Sequence, residues 1–453
     1  MPELTEIAFR RSPAIRPQKN FQTNQLRAMR CWVYLNFCLL LLVAGNGCRW
    51  ERSGNSGAGD SAGVSKRDPT GPWKSGLIDG SSMAPFLKGQ HFSLRCPTCR
   101  YPFAVGAPLE RSATMTCPNC GHQWKALATA SIDVVPESSD RVRFAPVEID
   151  QTPRRWERIV RQYGDEFMVK RVVGLPGESI GFDRGDVLVD GRRMVKPWGL
   201  QKENWLPVYD SDFSDRRVDR LLSAQGGLIL PFQLGGENLG FRYRHVACYN
   251  SKRRRQTEVI KDSYGYNQTL TRSLNSVGDI GILLVFAQAV DPVFVIELQT
   301  EKYGMVHFVS SRGKMGRFFS VHQPEAPQSD SQPVPFSWEV GPRSELVVCL
   351  IDGMARIIVD DCLVLQRRLI LAKNTSLISG DQQVRVPVLS AAEGELSRVK
   401  IFRDLFYFDR LPDRLFVLKP REFFLLGDNL PMSADSRGRS RPVQRSELIG
   451  ILD

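Results

Sequence analysis

From about residue 200 to residue 412 the chain is written in short runs that alternate apolar and polar residues and break at turn formers. "DIGILLVFAQA", "DPVFVIELQT", "MVHFVSSR", "FSWEV", "SELVVCLIDGMARIIVDDCLVLQRR" and "RVKIFRDLFYFD" succeed one another in this way. Successive side chains on a strand point to opposite faces, so each run buries one face and wets the other. Many such runs close a core only by stacking sheet on sheet. This predicts a β-sandwich over 200–412.

The stretch before it, 141–196, is β-patterned as well: "RVRFAPVEI", "EFMVKRVVGL" and "SIGFDRGDVLVDGRRMV". The whole chain is therefore expected to be mainly β. At 453 residues it is too long for one ordinary core, and length suggests about three domains. Within the second stretch, Gly177-Glu178-Ser179-Ile180-Gly181 matches GxSxG. That motif needs a strand before it and a helix after it. Here a Pro-Gly turn precedes and a strand and hairpin follow, so the match is set aside.

Ten cysteines are present, and four of them form two CxxC pairs, Cys96/Cys99 and Cys117/Cys120, separated by seventeen residues. "RCPTCRYPF" and "TCPNCGHQW" each read as a knuckle, the two-hairpin pattern of a zinc ribbon. Four thiolates suit a tetrahedral Zn²⁺ with no open position, so such a site is structural. Two disulfides are the alternative, favoured in an oxidising compartment. The other six cysteines do not look like a disulfide framework.

Residues 31–44, "CWVYLNFCLLLLVA", are the one strongly apolar run, and the first 30 residues carry six Arg/Lys against two Glu. Fourteen residues are short for a span, which needs about 20. A cleaved signal peptide, a retained signal-anchor over 31–47, and a lipoprotein signal ending at Cys48 all remain open. Each puts the bulk of the chain on or across a membrane, so a membrane-attached chain with its folded part extracytoplasmic is expected. Met1 or Met29 could be the start. Residues 48–72 read as a flexible Gly/Ser-rich linker. The net charge of +12 is spread thinly, which favours anionic lipid over nucleic acid as a partner, and no nucleic acid is expected.

"LIDGSSMAPFLKGQ" (77–90) puts two serines beside a methionine and a proline, with no helical or strand period. Alone it is a turn. A serine becomes a nucleophile only when a base takes its proton. None of the five histidines sits in a triad motif, although His91 is only nine residues from Ser82. A buried lysine is the other base, because apolar surroundings favour its neutral form. Lys170, in "EFMVKRVVGL", fits that description on the face of Met168 and Val172. A lysine guarding a sheet edge fits the same segment.

Three blocks occur in fixed order: "SSMAPFL", "VKRVVGLPGE" and "GDN" followed by "SADSRG". Together they resemble type I signal peptidase, the membrane-bound Ser-Lys leader peptidase. The matching portions, 73–91, 139–197 and 414–452, make up about a quarter of the chain. The resemblance implies that Ser82 is the nucleophile, Lys170 the general base, and Ser433 the hydroxyl orienting the lysine. Asp435 and Arg437 would form a supporting ion pair, and Asp428 belongs to the turn beside the site. Gly80, Ser81, Met83 and Pro85 would line the oxyanion hole and substrate groove. Many members carry Ser or Thr at the Gly80 position, so here only the Ser82 amide is offered to the oxyanion. Phe86 and Gly89-Gln90 also depart from the usual Thr and Gly-Asp. The implied substrate is a preprotein whose signal peptide has small residues at −3 and −1 and is read as an added strand. No cofactor is implied for catalysis.

The sandwich pattern resembles jelly-roll lectin or laminin-G-type modules, so a carbohydrate or protein ligand for it is expected. Trp338 reads as core or as an aromatic sugar platform. The expected organisation is a basic segment 1–30, an apolar segment 31–47 and a linker 48–72. A peptidase core follows in three parts (73–91, 127–199, 413–453), interrupted by a ribbon at 92–126 and the sandwich at 200–412. The leading function is signal-peptide cleavage. A Ser-Lys protease with a dedicated substrate and a non-catalytic binding protein are the alternatives.

Overall fold

The computed structural model describes residues 10–11 and 73–453, less 111, 126–135, 149–150, 214–219, 224–239, 250–254, 289–292, 314–315, 327–331, 339, 374–377, 379, 381, 391–395, 412 and 439–440. The described chain is mainly β, as its alternation predicts. The apolar segment 31–47 and the linker lie outside the described residues.

One eight-stranded sheet runs in the order Arg10–Arg11, Lys74–Leu77, Arg141–Pro146, Leu448–Leu452, Arg158–Tyr163, Glu166–Gly174, Glu422–Leu426, Val443–Gln444. It draws its strands from four separated stretches of sequence, and three of them carry the Ser, Lys and C-terminal blocks, which thus share one scaffold. A four-stranded sheet adds Ser179–Asp183 and Asp186–Val189, flanked by Arg192–Arg193 and Phe416–Val417. Ser179 starts a strand, and its backbone N–H and hydroxyl both donate to Asp190 Oδ1, at 2.9 and 3.0 Å. The GxSxG match is thus a turn-to-strand junction, not a nucleophile elbow.

Between the Lys block and the final block lie two further sheets, of six and seven strands. Their inner faces meet in one core that holds Ile280, Ile282 and Leu284 from one sheet and Phe294, Ile296 and Leu298 from the other. The strand Val293–Thr300 buries every second residue, as a strand with one face on a core must. Each fully buried Leu, Ile or Phe in such a core contributes about 1.5–3 kcal/mol. Trp338 is half-buried and packs on Phe286 and Phe319 at the margin of this core. Two small hairpins, His91–Arg95 with Pro102–Gly106 and Thr114–Thr116 with Gln123–Lys125, carry the cysteine knuckles.

The expected membrane attachment is corrected. Among the described residues no helix is long and apolar enough to cross a membrane. The α-helix Trp198–Glu203 has six residues and spans about 9 Å, against roughly 30 Å of hydrocarbon.

Candidate active site

The Ser block leaves the strand Lys74–Leu77 and folds into a tight turn. The Ala84 N–H donates to the Ser81 carbonyl, and the Phe86 and Leu87 N–H groups donate to the Met83 carbonyl. Met83 is 1% exposed and packs with Ile78, Val142, Phe144, Val160 and Val169. This anchor fixes the loop from below while Ser82, like Gly80, Ser81 and Pro85, stays half-buried at the surface. The methionine beside the serine is therefore a packing anchor.

Lys170 lies near the middle of the strand Glu166–Gly174, with Arg158–Tyr163 on one side and Glu422–Leu426 on the other. A strand paired on both sides is not an edge, so the edge-guard reading of Lys170 is excluded. The residue is 2% exposed. Its Nζ donates to Ser433 Oγ at 3.4 Å.

Ser82 and Ser433 meet at Gly427. A Cβ built on that glycine would collide with both the Ser82 carbonyl and the Ser433 hydroxyl. Only glycine permits this approach, and it brings the Ser block to the hydroxyl that Lys170 holds. The next residues fasten the loop: the Asn429 N–H donates to the Ser82 carbonyl, and its side-chain amide donates to the Ser81 carbonyl, both at 2.9 Å.

Asp435 and Arg437 form the expected ion pair, Nε to Oδ1 at 2.8 Å and Nη2 to Oδ2 at 2.9 Å. Arg437 also donates to the carbonyls of Phe408 and Leu430, both at 2.7 Å, while Asp435 accepts the Gly427 N–H at 3.3 Å. The pair thus braces the glycine.

Sequence reasoning missed four partners. Arg171 makes a bidentate pair with Asp428, at 2.7 Å for both bonds, and reaches Asn204 Oδ1 at 3.0 Å and the Trp156 carbonyl at 2.9 Å. Burial alone would lower the Arg171 pKa, but the Asp428 charge outweighs it and raises the value. The insert supplies Tyr264, whose hydroxyl donates to the Asp428 carbonyl at 3.0 Å, and Asn267, which pairs with Asn429. Burial pushes the Tyr264 phenol up to about 12, so it remains a donor. The adjacency of Arg171 to Lys170 was a usable signal. Asn429 stood in the Gly-Asp-Asn motif. Nothing local marks Tyr264 or Asn267.

His91 is buried and faces Gly89 and Glu137. Its Nδ1–H donates to the Gly89 carbonyl at 2.8 Å and its Nε2 lies 3.5 Å from Glu137.

A cavity of about 510 Å³ opens beside the Ser block, lined by Pro85 and Lys88, by Tyr101 and Pro118 of the ribbon, and by Tyr264 and Arg403 of the insert. Cys96, Cys99, Cys117 and Cys120 converge at the base of the ribbon, all buried.

A second polar cluster also escaped the sequence. Asp186, Asp279, Asp352 and Asp404 are buried with Lys196 and Lys302. Lys302 Nζ lies 2.7 Å from Asp186 and 2.9 Å from Asp279, and Lys196 Nζ lies 2.5 Å from Asp352 and 2.8 Å from Asp404. Burial, reinforced by the Asp279 charge, drives the Asp186 pKa well up. Burial likewise pushes Asp404 up to about 6 against the pull of Lys196. With lysines already filling the gaps, this is an ionic clamp between the Ser179–Val189 hairpin and the sandwich.

No protein-family model matches the chain, and no curated protein matches it. Among solved structures it is similar to the Trypanosoma rangeli sialidase in complex with sialic acid, at 11% identity and TM-score 0.24, over 70% of this chain and 51% of that one. It is also similar to the β-fructofuranosidase from Schwanniomyces occidentalis complexed with fructosyl-erythritol, at 12% identity and TM-score 0.21, over 58% of this chain and 60% of that one. The chain spans about half the length of the sialidase it matches. At these scores the likeness carries no argument about activity. A sialidase and a fructofuranosidase are not proteases, so they lend the peptidase expectation nothing.

Proposed function

We propose that the chain is a serine endopeptidase of the Ser-Lys type, acting on preproteins that present small residues at −3 and −1. The observation that carries this reading is the contact of the buried Lys170 amine with Ser433 Oγ, with Ser433 and the Ser82 carbonyl both seated against Gly427. The neutral Lys170 amine takes the Ser82 hydroxyl proton as Oγ attacks the scissile carbonyl. The Ser82 amide donates to the oxyanion, and such a donor is worth about 3–4 kcal/mol of barrier. Collapse breaks the peptide C–N bond, and the Lys170 ammonium returns its proton to the leaving amine. Lys170 then deprotonates a water that opens the acyl-enzyme, which restores Ser82 and releases the new carboxylate. Ser433 orients the amine throughout. No cofactor takes part in these steps.

A dedicated substrate is favoured over a broad set by one observation. Asn267 and Tyr264 of the insert bind the Gly-Asp-Asn turn itself, and the insert and the ribbon both wall the cavity beside Pro85. Side chains of both inserts are thus in place to select what enters.

The test is incubation of the full chain with purified preproteins, followed by N-terminal sequencing of the products. Cleavage after a small-x-small site by the wild type, and none by Ser82→Ala, supports the reading. A folded wild type that leaves every preprotein intact, or a Ser82→Ala variant that still cuts, sinks it.

A further inference from the structure

The ribbon holds the strongest set of metal-ligating groups among the described residues. Cys96 and Cys120 lie 3.6 Å apart, sulfur to sulfur, and so do Cys99 and Cys117. All four sulfurs lie within 4.8 Å of one another, and all four thiols are free. A disulfide needs its sulfurs about 2 Å apart. Zinc holds thiolate sulfur at about 2.3 Å, and a tetrahedron of that radius has edges of about 3.8 Å. The observed separations are those of ligands around a shared centre.

The backbone is built to the same end twice. In each knuckle the N–H four residues on donates to the carbonyl of the first cysteine, Arg100 to Cys96 at 2.9 Å and Gly121 to Cys117 at 2.8 Å. Both donors sit at positive φ, 65° for Arg100 and 73° for Gly121. At Gly121 a Cβ would also strike the Val246 carbonyl, so glycine is required there. The Thr98 N–H points at Cys96 Sγ and the Cys120 N–H at Cys117 Sγ, both at 3.4 Å, and the Asn119 amide reaches Cys99 Sγ at 3.8 Å. Donors aimed at sulfur suit thiolates around a cation.

We propose that Cys96, Cys99, Cys117 and Cys120 bind one zinc ion as four thiolates, and that the ion is structural. Four protein ligands fill a tetrahedron and leave no position for water or substrate. Each thiol gives up its proton on binding. The need is physical: a segment this short buries too little apolar surface to hold itself together. The ion also fixes what the ribbon touches. Thr116, beside Cys117, exchanges two hydrogen bonds with Gln268 at 2.9 and 3.1 Å, and the Asn119 amide bonds the Asp210 and Phe213 carbonyls at 3.3 and 3.0 Å. This inference stands apart from the peptidase reading.

The full chain, purified without chelator, is assayed for metal and then exchanged into Co²⁺. One zinc per chain, with the intense visible bands of tetrahedral cobalt-thiolate, is the expected result, with loss of the bands in Cys96→Ser/Cys120→Ser. Should that variant fail to fold, titration of the wild type with a mercurial reagent must release zinc in step with the four thiols. Four cysteines found as two disulfides without metal, an octahedral cobalt spectrum, or zinc retained after all four thiols are blocked overturns the proposal.

Discussion

Asn267 and Asn429 exchange side-chain amide hydrogen bonds at 2.7 and 2.9 Å, joining the sandwich insert to the turn that holds the Ser82 loop. Each bond contributes about 0.5–1.5 kcal/mol net. Asn267→Ala is expected to lower kcat/KM about tenfold, each tenfold being about 1.4 kcal/mol of barrier, and to lower the unfolding free energy by the ~1–3 kcal/mol of the two bonds. Unchanged kinetics in the variant would mean that the insert does not support the site.

Arg171 and Asp428 are 4% and 1% exposed in their side chains and pair bidentately. Removing one partner strands a buried charge, at a cost of about 3–5 kcal/mol. Arg171→Met is expected to lose that much in urea unfolding. Arg171→Lys is expected to rescue little, because an ammonium cannot replace the guanidinium fork. A loss below about 1 kcal/mol in Arg171→Met would contradict the geometry.

Gly427 has no room for a side chain between the Ser82 carbonyl and the Ser433 hydroxyl. Overpacking of this kind costs about 1–3 kcal/mol. Gly427→Ala is expected to cut the rate about 10- to 100-fold through displaced Ser82 and Ser433. A crystal structure of the variant with both serines unmoved would refute the explanation.

Asp404 has a folded-state pKa raised from 3.8 to about 6, mainly by burial. It therefore holds its proton more tightly folded than unfolded. Its contribution to stability is full below pH 4 and is lost as pH rises to about 6. The stability of the wild type relative to Asp404→Asn is expected to fall across that window and to stay flat above it. Urea midpoints at half-unit pH steps measure this; a difference that grows with pH would have the wrong sign.

Much of the fold was written locally. The alternation of "VFVIELQT" translates directly into its buried and exposed faces. The two CxxC turns foretell the two hairpins because four ligands at that spacing admit few backbones. Lys170 was ambiguous until strand pairing on both sides removed the edge alternative, a fact of topology that a nine-residue segment does not contain. For Arg171, next to Lys170, alternation gives a direction but not the Asp428 partner. Asn267 and Tyr264 reach Asn429 and Asp428 across 162 and 164 residues, and no local pattern encodes such contacts. The buried carboxylates at 186, 279, 352 and 404 were invisible for the same reason. The apolar run at 31–44 suggested a membrane anchor by composition alone.

The central claim is that Lys170 activates Ser82. The pH dependence of kcat/KM for preprotein cleavage, compared between wild type and Lys170→Met, tests it most directly. The account predicts a Lys170→Met rate near background at every pH at which the wild type cleaves. A Lys170→Met variant that keeps the wild-type rate and pH profile would contradict it.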